Sequence, residues 1–80
     1  MKVLPPEVFA VFAKLRDKRK ALAQNAGVPP FTVATDAQLA EMAKITEPSL
    51  SNIGKIDGIG EARLKSYGAA FLSVLSEEKS

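Results

Sequence analysis

Two glycines around one apolar residue, Gly58-Ile59-Gly60, constrain this chain more than any other stretch. Glycine adopts positive φ freely and lets backbones approach closely, so the pair reads as a tight turn. A helix can start right after it. Leu64, Tyr67, Phe71, Leu72 and Leu75 recur at three- and four-residue steps, and Glu61 falls in the first turn, where the helix dipole favours an acid. A turn that opens into a helix N-terminus presents free backbone N–H groups, and such groups hold phosphate. Two readings of the corner stand side by side. It is either the short connection an all-helical fold needs, or a hairpin in which Gly58, Gly60 and Arg63 meet phosphate.

The chain ahead of the corner is helical in pattern as well. From Glu7 to about Asn25, Val8, Phe12, Leu15, Leu22 and Ala23 form one apolar stripe. At roughly 100° per residue, Lys14 and Lys18 project away from that stripe, Lys20 lies on its opposite flank, Arg16 sits near its edge and Arg19 falls near its middle. A buried guanidinium is costly unless it is paired, so Arg19 is expected to tie a loop carbonyl or an acid to the helix, with Asp36 as the candidate partner. Gly27 is a plausible helix stop. The stretch Val28-Pro29-Pro30-Phe31-Thr32-Val33-Ala34 is expected to be an extended loop. Phe31 on that stiff loop either packs into the core or serves as a stacking platform for an unpaired base.

Thr35 or Asp36 is expected to cap a helix over about Ala37 to Lys44, with Leu39, Met42 and Ala43 inward. Thr46 is expected to cap the next, over about Glu47 to Ile53, which Gly54 stops. The last helical segment should run from about Glu61 to Glu77. Gly68 within it weakens a helix by about 1 kcal/mol relative to alanine. A bend or a break is expected there, the alternative role for Gly68 being close helix–helix packing.

Composition narrows the function classes. Eighty residues make one small domain, which buries only about 60–65% of its unfolded surface. There is no cysteine and no histidine. Disulfides, thiolate chemistry, the commonest general base and the commonest metal ligand are all missing. No phosphate-cradling ATPase loop is present, and the carboxylates are scattered. The expectation is therefore a non-enzymatic module with no cofactor and no metal. No apolar run is long enough to span a membrane, so an intracellular monomer is expected, in the cytoplasm or nucleoid. The net charge is +2 but unevenly spread: residues 1–25 carry six Lys/Arg against two acids, and residues 26–54 carry one against three. A basic first helix is the electrostatic footprint of a nucleic-acid binder, and also a common solvated surface.

Taken together, these residues resemble a known family. Leu15-Arg16, Arg19, Leu22-Ala23, Gly27-Val28-Pro29-Pro30-Phe31, Val33, Asp36, Leu39, Met42-Ala43 and Pro48 carry the likeness. Ile53, Ile56, Gly58-Ile59-Gly60, Leu64, Tyr67-Gly68 and Phe71-Leu72 complete it. The series is similar to an HRDC domain, the helicase-and-RNase-D C-terminal module of RecQ-type helicases, over about residues 8 to 75. Its Gly-apolar-Gly corner also resembles the hairpin of helix-hairpin-helix DNA-binding motifs. The likeness implies an all-α, compact bundle of about five short helices, with a Pro-Pro loop after the first and the glycine hairpin before the last. Residues 1–6 would then be a lead-in or linker, 7–77 the domain, and 78–80 a frayed tail.

The resemblance also implies an auxiliary, non-catalytic role. Carried over to this sequence, the single-strand surface would comprise Lys14, Arg16, Lys18, Lys20 and Phe31, with Arg19, Asp36, Tyr67 and Gly68 structural. The implied partners are single-stranded or branched DNA and the helicase catalytic core of the same parent chain. Two alternatives remain. One is a regulatory module that docks on its helicase core with little DNA contact, and the other an RNA-processing accessory domain as in RNase D.

Overall fold

Prolines open the longest helix. In the computed structural model, which describes residues 4–79, Pro5 precedes α1 (Pro6–Ala26) and Pro6 takes its first position. There the missing N–H has no helical partner to lose. Residues 1–3 of the expected lead-in, and residue 80 of the expected tail, lie outside the described residues. α1 stops at Gly27, whose φ of +69° turns the backbone left-handed. The Val28 N–H then donates to Ala23 O at 3.1 Å and the Gly27 N–H to Gln24 O at 3.3 Å. This double closure is the Schellman motif, and Val28 packs back on the core as the motif favours.

The Pro-Pro stretch corrects the sequence reading. Pro29 and Ala34 are extended, but Pro30 begins a one-turn helix between them, α2 (Pro30–Val33), closed by the Ala34 N–H on Pro30 O at 3.3 Å. The second proline starts a helix for the same reason Pro6 does. Thr35 rather than Asp36 caps α3 (Asp36–Ala43). Its Oγ1 accepts from the Gln38 N–H at 3.2 Å, while Gln38 Oε1 accepts from the Thr35 N–H at 2.9 Å, a reciprocal capping box.

α4 (Leu50–Gly54) starts three residues later than expected, and its cap is Ser49, not Thr46. Pro48 pushes the residue before it out of the helical region, so Glu47 cannot start the helix. Ser49 Oγ instead accepts from the Asn52 N–H at 3.0 Å, and Asn52 Nδ2 donates to Glu47 O at 2.6 Å. The glycine corner follows, and then α5 (Glu61–Lys79).

α5 is unbroken at Gly68, so the expected break into two short helices does not occur, and it continues past Glu77. Gly68 is buried, and a Cβ there would lie 3.0 Å from Leu50 Cδ2 and 2.9 Å from Leu64 Cδ1. The glycine therefore serves close packing of α4 on α5. Beyond that contact, α1 packs against α2, α3 and α5. Val11 and Leu15 of α1, Leu39 and Met42 of α3, Ile53 of α4, and Phe71 and Leu75 of α5 meet in one core. Each large side chain buried there contributes about 1.5–3 kcal/mol. The five helices of the described residues have a radius of gyration of 11.5 Å, close to the ~12 Å of a compact domain this size.

Candidate nucleic-acid interface

The two flanks of α1 face different neighbours. On one, Lys14 Nζ lies 3.1 Å from Glu78 Oε1 on the last turns of α5. On the other, Arg19 NH1 lies 2.7 Å from Asp36 Oδ1 and donates to Ala34 O at 3.1 Å, which ties α1 to the connection between α2 and α3. With Leu15 buried between them, the roughly 100° helical step sorts the remaining cations. Lys18, half-buried, falls on the Lys14 side. Exposed Arg16 and Lys20 fall on the Arg19 side. The five residues expected to share one surface are therefore divided, Lys14 and Lys18 on one edge, Arg16, Lys20 and Phe31 on the other.

Phe31 reaches that second edge because α2 is helical. Val33 turns inward and is buried, while Phe31, two positions earlier, turns outward and stays 67% exposed. It does not pack into the core. It borders an open pocket of about 360 Å³ together with Arg19, Pro30, Thr35 and Asp36. The same flank carries two more aromatics nearer the start of α1. Phe9 is 52% exposed, its ring centroid lies 6.1 Å from that of half-buried Phe12, and the Arg16 guanidinium stands 5.8 Å from the Phe12 ring. Among the described residues, Arg16 and Lys20 pair with no acid, so their charge is available to an anion.

The hairpin is organised from within. Gly58 has φ +86°, and a Cβ there would meet Gln38 Nε2. That amide donates to Asp57 O at 3.2 Å, so the same Gln38 that completes the α3 cap also props the corner. Gly60 is exposed, with nothing near its missing Cβ. Arg63 is half-buried and borders a small interior gap with Ile59, Tyr67 and Phe71. Tyr67 is half-buried against the core.

Two residues escaped the sequence reading. Gln38 was legible in the spacing Thr35-x-x-Gln38, the capping-box signature. Phe9 falls off the apolar stripe of α1, and an off-stripe aromatic on a basic helix is itself a signal of surface use.

A model of the HRDC domain family matches residues 8–75, which reach into all five helices. The chain belongs to the HRDC domain family. This HRDC domain is 36% identical to the ATP-dependent DNA helicase RecQ of Haemophilus influenzae over 86% of the chain, and 39% identical to that of Bacillus subtilis over 78%. It is 34% identical over 84% of the chain to the bifunctional 3′-5′ exonuclease/ATP-dependent helicase WRN of Mus musculus. The chain spans 11%, 10% and 4% of those relatives' lengths, in the same order. Among the described residues of this HRDC domain, no helix is long and apolar enough to cross a membrane. No group of three or more metal-binding side chains comes together among them either.

Proposed function

We propose that this HRDC domain is a non-catalytic module of a RecQ-type helicase, binding single-stranded or branched DNA along the Arg16 flank of α1. The observation that carries the reading is Phe31, two-thirds exposed on a rigid proline-started turn, on the same side of α1 as two unpaired cations. Arg16 and Lys20 hold phosphates, and the Phe31 ring stacks on a base. A platform of this kind needs an unpaired base, so single-stranded or forked DNA is preferred over duplex. With so few contacts the intrinsic affinity is weak. Tethering to a catalytic core that already holds DNA raises it through effective concentration.

A comparison of the two edges tests this. The double replacement Arg16→Ala/Lys20→Ala removes two phosphate contacts. It should abolish most single-strand binding and flatten the log–log salt dependence by about 1.4. The double replacement Lys14→Ala/Lys18→Ala should weaken binding much less. The opposite ranking would place the strand on the α5 side of α1.

One observation favours a second reading, that of a docking module on the helicase core. Glu41, Lys44, Glu47, Lys55 and Asp57 rim an open groove of about 620 Å³ on the acidic middle of the chain, well suited to a charged protein surface. Loss of helicase regulation on reversing Glu47 and Asp57, with DNA binding by the isolated domain intact, would support it.

A further inference from the structure

The pocket beside Phe31 holds chemistry that strand binding alone does not use. Arg19 is nearly buried there, its side chain 12% exposed, and its NH1 is already engaged by Ala34 O and Asp36 Oδ1. That cation is neutralised in place and is a poor phosphate ligand. Asp36 is the reverse case, its side chain 76% exposed. An ionised carboxylate offers about four acceptor positions, of which Arg19 takes one at Oδ1. Asp36 lines the same open pocket as the exposed Phe31 and Thr35. Thr35 Oγ1 accepts from the Gln38 N–H and keeps its own proton for donation.

We infer that this pocket is a base-selective subsite in which Asp36 and Thr35 prefer guanine, an inference that rests on the strand-binding reading above. A carboxylate repels phosphate, so the pocket takes the base while the strand's phosphates lie toward Arg16 and Lys20. A base stacked on Phe31 is read on its Watson–Crick edge. Guanine alone presents two adjacent donors there, N1–H and the N2 amino group, next to the O6 acceptor. The donors suit Asp36 and the acceptor suits the Thr35 hydroxyl. Adenine and cytosine each set a ring-nitrogen acceptor beside their single amino donor. Thymine sets two carbonyl acceptors around one N–H. Each acceptor turned toward a carboxylate is repelled.

The test uses the 80-residue chain and a fluorescent oligothymidine of about ten nucleotides, with one central thymine replaced by guanine, hypoxanthine, adenine or cytosine. Guanine is expected to tighten binding by about threefold to tenfold over thymine, the low end of a two-donor contact because the site is open. Hypoxanthine, which lacks the N2 amino group, should fall between. Asp36→Asn keeps an acceptor for Arg19 and should reduce the guanine preference below about twofold at unchanged melting temperature. Equal binding of all five oligonucleotides, or preference for thymine, would overturn the selectivity and leave strand binding standing. Binding to none of them would overturn both. Displacement of the oligonucleotide by an equal concentration of guanosine monophosphate would make the pocket a mononucleotide site and overturn the assignment to a strand.

Discussion

Arg19 carries a guanidinium to the edge of the core, where an unpaired charge costs several kcal/mol. Its place in the middle of an apolar stripe was plain in the sequence, and the need for a partner follows from that place. Ala34 O and Asp36 Oδ1 meet it in the structure. The two ends of this contact are unequal. Arg19→Ala leaves a buried residue's carbonyl without its charged donor, and should cost about 2–3 kcal/mol. Asp36→Ala removes a largely exposed carboxylate and should cost about 1 kcal/mol or less. Urea unfolding midpoints of the two variants check the ranking. Phe31 was not legible in the same way. An aromatic after two prolines packs inward or points outward depending on the backbone it stands on. Only the helical turn that Pro30 starts, with Val33 taking the inward position, decides the matter.

At the scale of the elements, Gly58 and Gly68 do different work. Gly58 needs its positive φ and leaves room for the Gln38 amide that supports the corner. Gly58→Ala should therefore cost about 2–3 kcal/mol, through backbone strain and the displaced amide. Gly68→Ala presses only on the ends of two leucine side chains, one of them on half-exposed Leu50. The gain of about 1 kcal/mol in helix propensity offsets that pressure, so the change should stay within about 1 kcal/mol of wild type. Thermal melts of both variants separate these cases. The elements themselves were largely written in the chain. Apolar spacing marks α1, α3 and α5, and Gly27 marks where the first of them stops. The expected break at Gly68 was not there, because propensity cannot see the packing of Leu50 and Leu64 against that position. The start of α4 was misplaced because Thr46 stood as its expected cap; the constraint from Pro48 moves the cap to Ser49.

Across the whole molecule, the basic first segment is not one surface. α1 is buried along its middle, and its cations fall to either side. Lys14 bridges to the end of α5, and Arg16 and Lys20 stand with Phe9, Phe12 and Phe31 on the side of α2. Charge counting finds the helix but not the flank, since the division depends on which helices pack against α1. The resulting edge, about 17 Å along α1 from Phe9 to Lys20 at 1.5 Å per residue, combines cations with exposed rings. That is the combination single strands use. The most direct test of this account is a fluorescence titration of the chain and of Phe31→Ala against single-stranded, forked and duplex DNA at two salt concentrations. Weak, salt-sensitive binding that favours unpaired DNA is expected. Removing the ring should lower that affinity by about tenfold or more at unchanged melting temperature. Equal affinity for duplex and single strand, or a Phe31→Ala variant that binds as well as the wild type, would contradict it.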